Sequence, residues 1–154
     1  MITIDIATDK DIEEISYIGK AFLENSIGGS IVSYNQESFL DSLLKLRDLE
    51  LLNVWIAKDN EKIAGAVGLI ISPNIYNQSE ILGDIYFIDV LPEYQKQGIA
   101  KRFIKTVEAW ASQNNVIAIT VSFDDKEIID KLCESMGYLL FEYRIIKQIG
   151  EVKW

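Results

Sequence analysis

The spacing of apolar residues along the chain predicts short strands alternating with amphipathic helices. Residues 2–6 alternate between isoleucine and polar side chains, as expected for a half-exposed strand. Apolar residues then recur every three or four positions from Lys10 to about Glu24, which indicates a helix that Thr8 or Asp9 can cap. The same spacing predicts a second helix from Ser38 to about Arg47.

The middle of the chain reads as strands joined by polar turns. Residues 53–58 and 63–71 are rich in branched apolar side chains and predict a hairpin. Residues 81–90 predict a long strand, while residues 26–35 and 73–79 are polar or contain glycine or proline and predict loops.

The last part of the chain returns to alternating elements. We predict a helix over residues 98–113, a buried strand over 116–123, a helix over 126–136 ended by Gly137, and one long strand or a bent pair over 138–149. The resulting order is β-α-α-β-β-β-α-β-α-β. This order predicts one α/β (α+β) domain over residues 1–154, with a mixed sheet covered by helices on both faces.

The turn between the strand at 81–90 and the following helix has the most informative composition. It places Gln95, Gly98 and Ala100 in the spacing Gln-x-x-Gly-x-Ala. Small residues let backbone amides approach a ligand closely. The unpaired amides and the positive dipole end of a helix N-terminus attract anions. The turn therefore predicts a site that can hold a pyrophosphate.

This stretch resembles the acyl-CoA-binding motif of the GCN5-related N-acetyltransferases, in which Arg/Gln-x-x-Gly-x-Gly/Ala follows a strand that ends in Val-x-Pro. Val90 and Pro92 complete the match, and residues 128–138 resemble the later helix of that family with its Gly-Phe/Tyr. The resemblance covers residues 53–149. It implies a mixed, mostly antiparallel central sheet of six or seven strands with about four helices. In that fold strands four and five splay apart to admit the pantetheine arm.

The resemblance also implies acetyl-CoA (coenzyme A) as the cofactor and a set of residues that bind it. Backbone amides of the turn would bind the pyrophosphate, and backbone groups at the end of strand four would bond the pantetheine. The residues carried over are Ile88, Asp89, Val90, Gln95, Lys96, Gln97, Gly98, Ile99, Ala100 and Lys101, together with Lys126, which stands where an Asn often contacts the pantetheine.

The usual catalytic residues of that family are replaced in this chain. Phe87 stands where a Glu often serves as the base, and Cys133 stands where a Tyr serves as the acid. Asp89 is the nearest substitute base, with Asp84 and Glu80 as weaker candidates; Asp89 can also be read as a solvated strand-end residue. Cys133 could protonate a thiolate, but it lies on an apolar helix stripe, where a cysteine is more often a small buried side chain.

Substrate recognition in that family comes mainly from the N-terminal helices and nearby loops. The corresponding residues here are Phe22, Glu24, Tyr34 and Tyr76, with the Gly28-Gly29 loop. The two tyrosines could contact an amine through cation–π attraction if both line one cleft.

The charge and residue composition limit the kinds of partner and chemistry that the chain can have. The net charge is −9, and residues 1–50 alone contribute −6, which favours a cationic acceptor or simply keeps the protein soluble. No basic face suggests nucleic acid, and the longest apolar run, Ile63 to Ile71, is too short to cross a membrane. The absence of histidine excludes Ser-His-Asp chemistry. The absence of histidine together with a single cysteine makes a metal site improbable. The N-terminus does not read as a signal peptide, and a lone cysteine suits a reducing, cytoplasmic location.

Two functions follow from these observations. The first is an acetyl-CoA-dependent N-acetyltransferase that transfers an acetyl group directly to a primary amine of a small molecule or protein. The second is a non-catalytic CoA-binding or protein-interaction module of the same fold, because the usual Glu and Tyr are absent. Other nucleotide-binding motifs do not occur, and Gly65-x-x-Gly68 predicts close packing within a strand. A homodimeric assembly is left open.

Overall fold

Four helices and five strands alternate through residues 1–24, 32–123 and 125–140, the part of the chain that the computed structural model describes. The order is β1 (Ile2–Ile6), α1 (Asp9–Glu24), α2 (Gln36–Asp48), β2 (Leu52–Asp59), β3 (Lys62–Asn74), β4 (Asn77–Val90), α3 (Ile99–Gln113), β5 (Val116–Val121) and α4 (Lys126–Met136). It matches the predicted order through the last helix. The Gly28-Gly29 loop and most of the final predicted strand lie outside the described residues, and residues 138–140 have no regular structure.

Side-chain caps mark the starts of three helices, of which α1 begins one residue and α2 two residues before the predicted position. The Oγ1 atom of Thr8 accepts a hydrogen bond from the amide of Asp11 at 3.3 Å, and the Asp11 carboxylate accepts one from the Thr8 amide at 2.8 Å. Asn35 caps α2 and Asp125 caps α4, each accepting a backbone amide at 2.8 Å. Gly137 ends α4 in the left-handed conformation, as predicted.

The strands form one mixed sheet in the order β1-β2-β3-β4-β5. The first three neighbouring pairs are antiparallel and the β4–β5 pair is parallel. The expected mixed, mostly antiparallel sheet is therefore confirmed, with five strands in the described residues rather than six or seven. None of the helices in these residues combines the length and apolar character that a membrane span requires.

The hairpin of β3 and β4 is longer than predicted. The loop expected over residues 73–79 is wrong, because Pro73 pairs with Ile81 and only two residues separate the strands. The amide of Ile71 bonds the carbonyl of Leu51, just before β2 begins at Leu52. The nitrogen of Pro73 faces the same side two residues later, where β2 no longer runs alongside. The missing N–H of proline therefore costs no ladder hydrogen bond.

Two apolar cores lie on opposite faces of the sheet. One packs α3 and α4 against the sheet through residues such as Phe103, Val107 and Leu132. The other packs α1 and α2 against it through residues such as Ile12 and Leu43. The helices therefore cover both faces, as predicted. However, β5 is less buried than expected, since Ile117 is 58% exposed.

Candidate active site

A bulge at Tyr86 changes the direction in which β4 presents its side chains. Gly68 of β3 pairs with Phe87, whereas the next residue, Leu69, pairs with Ile85, so Tyr86 is an extra residue in β4. Ile85 belongs to the core under α3, whereas Phe87 packs against the core under α1 and α2. A regular strand would place Ile85, Phe87 and Asp89 on one face; the bulge instead leaves Phe87 and Asp89 on the α1/α2 face without Ile85.

The sheet opens directly after this bulge. The parallel pairing of β4 with β5 runs from Ile81 to Ile85 and ends opposite Val121. Residues 87–90 of β4 pair only with β3 in the described part of the chain, and Tyr86 has no strand partner there. Because β5 itself ends at Val121, this stretch of β4 has an unpaired edge among the described residues, at the place where the resemblance implies that strands four and five splay apart; the splay itself remains a prediction.

The turn after β4 is closed by its own side chains. Pro92–Tyr94 form a single 3-10 turn, and the side-chain amide of Gln95 donates to the carbonyl of Val90 at 3.1 Å. The main-chain amide of Gln95 donates to the Pro92 carbonyl at 3.3 Å. Gln95 was predicted to contribute a main-chain donor to a ligand. That donor is occupied within the protein, and Gln95 instead ties the turn to the end of β4.

The remaining predicted donors of the turn are free within the described residues. The first amide of α3 with a partner is that of Arg102, which bonds the Gly98 carbonyl at 3.1 Å, so the amides of residues 96–101 have no backbone acceptor. Gly98 precedes α3 with φ of 77°, and Lys96 has φ of 60°. A side chain at Gly98 would meet no protein atom within 4 Å, so that side of the turn is open. Such a group of unpaired amides is suited to bind an anion.

A cavity of about 910 Å³ lies on the α1/α2 face beside the opening of the sheet. Its wall is formed by the end of α1, residues 32–35, the start of α2, residues 85–89 of β4, and the segment from β5 to the first turns of α4. The cavity therefore reaches from the two N-terminal helices into the gap between β4 and β5.

Asp89 is the carboxylate that β4 presents to this cavity. Burial raises the pKa of Asp89 from its ordinary 3.8 to about 6. Within the described residues its carboxylate has no hydrogen-bond or ion-pair partner. The loss of water on burial is therefore not offset by a cation or a donor, and the pKa rises. A carboxylate with a raised pKa in a cavity is a candidate general base.

The two predicted site residues on α4 do not line this cavity. Cys133 is half-buried two turns beyond Asp125, where the cavity wall begins on this helix. Lys126 is exposed, and its ammonium forms an ion pair with Asp130 at 2.6 Å, which helps raise the pKa of Lys126. Their roles as acid and as pantetheine contact remain predictions.

The predicted acceptor residues divide into two groups. Phe22 and Tyr34 line the cavity. Glu24 ends α1 outside the lining and pairs with Lys20 at 3.6 Å. Tyr76 lies at the tip of the β3–β4 hairpin and is 93% exposed. Tyr34 and Asp89 line the same cavity, whereas Tyr76 is separated from Asp89 by almost the full length of β4. Tyr34 and Tyr76 therefore do not share a cleft.

Phe39 and Phe87 line the cavity but were not predicted to do so. The signal for them lies in two glycines within regular elements. A Cβ atom at Gly19 of α1 would stand 2.7 Å from the ring of Phe39, and one at Gly68 of β3 would stand 2.3 Å from the ring of Phe87. Gly68 was correctly read as a site of close packing, but the sequence does not say that the neighbour is a ring in a cavity wall.

Solved structures share this fold over nearly the whole chain. A predicted acetyltransferase with acetyl-CoA from Clostridium acetobutylicum is 19% identical, with 96% of each chain covered and a TM-score of 0.74. A transcriptional regulator from Bacillus halodurans C-125 is 17% identical, with 97% of this chain and 100% of the other covered and a TM-score of 0.76. A ribosomal-protein-alanine N-acetyltransferase from Brucella melitensis biovar Abortus 2308 is 16% identical, with 96% and 99% covered and a TM-score of 0.71. At these identities the likeness concerns the fold.

Sequence comparison identifies the family. No curated protein matches the chain. The family model described as Acetyltransferase (GNAT) family matches residues 20–138, well over half of the chain, and this range includes β4, the turn and α3. The chain therefore belongs to the GNAT acetyltransferase family.

Proposed function

We propose that this protein is a single-domain, acetyl-CoA-dependent N-acetyltransferase that transfers an acetyl group directly to a primary amine. The observation that supports this most directly is the position of Asp89. Its carboxylate lies in the cavity, a few residues before a turn whose amides are unpaired. The proposed base and the proposed cofactor site thus lie on one strand and the turn that follows it.

The residues of the turn fit the diphosphate of acetyl-CoA. The amides of residues 96–101 would donate to it, and the absence of a side chain at Gly98 leaves room for its approach. Lys96 and Lys101 are exposed beside these amides and would add positive charge. The unpaired edge of β4 at residues 86–90 would face the pantetheine arm. The relative from Clostridium acetobutylicum, whose structure holds acetyl-CoA, adds support at the level of the fold.

Asp89 would prepare the acceptor for reaction. An alkyl amine has a pKa of about 10.4 and is largely a cation at neutral pH, so it must lose a proton to become a nucleophile. The carboxylate of Asp89 would take this proton directly or through one water. Its raised pKa favours this role, because a general base is most effective when its pKa is near the working pH. Bound acetyl-CoA supplies the activated acetyl group, which forms the new C–N bond as the C–S bond breaks.

The leaving thiolate needs a proton or a stabilising donor. Cys133 is our candidate for the proton donor, on the helix whose first turns line the cavity. Because Cys133 does not line the cavity itself, the backbone amides of β4 beside the opening of the sheet are the alternative means of stabilising the thiolate.

Two measurements test the proposal. Calorimetry should detect binding of acetyl-CoA, and mass spectrometry should detect acetylated products from a broad panel of primary amines. We expect Asp89→Asn to lower kcat/KM by about 10²- to 10⁴-fold, the usual contribution of a general base. Asp84→Asn is the matched control, since Asp84 is on the same strand and outside the cavity lining, and it should retain activity.

The two functions give different results in these measurements. Binding of acetyl-CoA without transfer to any amine in the panel would favour the non-catalytic module. Absence of acetyl-CoA binding at millimolar concentration would refute both.

A further inference from the structure

One wall of the cavity is built from three aromatic rings. The rings of Tyr34 and Phe39 have centroids 5.7 Å apart and are tilted by 59°, and those of Phe39 and Phe87 have centroids 6.5 Å apart in an edge-on arrangement at 68°. All three residues line the cavity. Gly19 and Gly68 lie directly behind the rings, so their close packing holds the wall in place.

Tyr34 contributes its ring rather than its hydroxyl to this wall. Its hydroxyl donates a hydrogen bond to the carbonyl of Ser16 in α1. Partial burial also raises the pKa of Tyr34, which keeps the phenol protonated at neutral pH. The aromatic face, which attracts cations and apolar groups, is the part left for a ligand.

The charge in the cavity is small and of one sign. Among the described lining residues, the ionisable acids are Asp89 and Asp125, and no lysine or arginine is present. Asp125 caps α4, where its carboxylate accepts the amide of Glu127 at 2.8 Å. Asp89 is therefore the one lining carboxylate among the described residues that has no hydrogen-bond partner.

We propose that the acceptor is a small monoamine whose single amino group is attached to an aromatic or branched apolar group and which has no carboxylate. This inference rests on the proposed function, because it names the acceptor of the same site. Asp89 matches one ammonium, and the three rings match an apolar group of aromatic size. A polyamine would bring further strongly hydrated cations, and Asp89 can pair with only one of them. An amino acid would bring a carboxylate towards Asp89 without a cation to neutralise it.

Three commercially available amines separate these classes. Phenethylamine has one ammonium and a ring, spermidine has several cations and no ring, and phenylalanine adds a carboxylate to the first. We expect kcat/KM for phenethylamine to exceed that for each of the other two at least about tenfold, the effect of burying a phenyl group or of opposing two carboxylates. Binding of each amine to the cofactor-free protein is measured by calorimetry in parallel and should give the same order.

Variants of the wall test the role of the rings. Phe39→Leu preserves an apolar side chain but removes a ring, and should lower kcat/KM for phenethylamine about five- to tenfold while leaving that for spermidine and the affinity for acetyl-CoA unchanged. Unchanged acetyl-CoA affinity also verifies that the variant is folded. Tyr76→Leu removes an exposed ring at the hairpin tip, far from the cavity, and should change none of these values.

The outcomes separate the acceptor class from the proposed function. Spermidine or phenylalanine bound or acetylated as well as phenethylamine would overturn the acceptor class, and so would failure of all three to bind. Preferential binding of phenethylamine without acetyl transfer would support the acceptor class and count against the enzymatic function.

Discussion

Replacing Asp89 by Asn should raise stability and abolish most activity at the same time. The carboxylate is partly buried in a cavity and has no cation or hydrogen-bond donor beside it among the described residues. Such a charge costs free energy in the folded state and is retained where function requires it. Asn has nearly the same shape without the charge, so the variant separates the cost of the charge from its use.

The pKa of Asp89 determines the size and the pH range of this effect. A shift from 3.8 to about 6 corresponds to about 3 kcal/mol between the two protonation states. Because the folded-state pKa lies above the unfolded-state pKa, the folded protein binds the proton more tightly. Stability is therefore fully present below about pH 4 and is lost as the pH rises to about 6 and above. The carboxylate keeps some contact with solvent in the cavity, so we expect about 1–2 kcal/mol of this loss to be observed.

Urea denaturation of the parent, Asp89→Asn and the control Asp84→Asn measures the difference directly. At pH 8 the Asp89→Asn variant should be more stable than the parent by about 1–2 kcal/mol, and the difference should shrink below pH 6 and vanish only below about pH 4. In the same pH range, kcat/KM of the parent should fall below about pH 6 as Asp89 is protonated. A variant that is less stable than the parent at pH 8, or a stability difference that does not change with pH, would refute this reasoning.

Three further predictions concern the frame of the site. Asp11 is 4% exposed as a side chain and pairs with Lys58 at 2.6 Å. Burial opposes the charge of Asp11, but the hydrogen bonds from Lys58 and from the α1 cap outweigh burial and lower the pKa of Asp11. Asp11→Ala should therefore cost about 3 kcal/mol of unfolding free energy in urea denaturation near pH 7. The cost should decrease as the pH falls below about 3.8. Gly98→Ala and Gly137→Ala place a side chain at φ of 77° and 75°, and each should cost about 1–2 kcal/mol in thermal unfolding. By calorimetry only Gly98→Ala should weaken acetyl-CoA binding, and equal affinities for the two variants would contradict the proposed cofactor site. Gly68→Ala should push on the neighbouring ring of β4 and raise the acceptor KM in steady-state kinetics without changing acetyl-CoA affinity, whereas an unchanged KM would show that this ring is not part of the acceptor site.

The helices could be predicted closely because their signals are local. Thr8, Asn35 and Asp125 are capping residues next to clear apolar periodicity, and the predicted span 126–136 is the observed α4. The turn after β4 was also predictable, because Gly98 is a local signal. Its backbone adopts the left-handed conformation that glycine favours.

The strand details could not be predicted because they depend on neighbours distant in sequence. Taken alone, Pro73 suggests a loop. It lies in β3 past the point where β2 begins, so its missing amide is not needed for pairing on that side. The bulge at Tyr86 has no local signature, although it determines which face of the sheet Phe87 and Asp89 occupy. The aromatic wall likewise depends on contacts between α1, α2 and β4 that the linear pattern does not contain.

The central claim is that the unpaired amides before and within the first turn of α3 bind the diphosphate of acetyl-CoA. Amide-resolved NMR during a titration with acetyl-CoA tests it most directly, with a pantetheine ligand that lacks the diphosphate as the comparison. We predict that saturating acetyl-CoA shifts the amide signals of residues 96–101 and slows their hydrogen exchange, whereas the pantetheine ligand leaves them unchanged. Amide signals in this turn that stay constant at saturating acetyl-CoA would contradict the account.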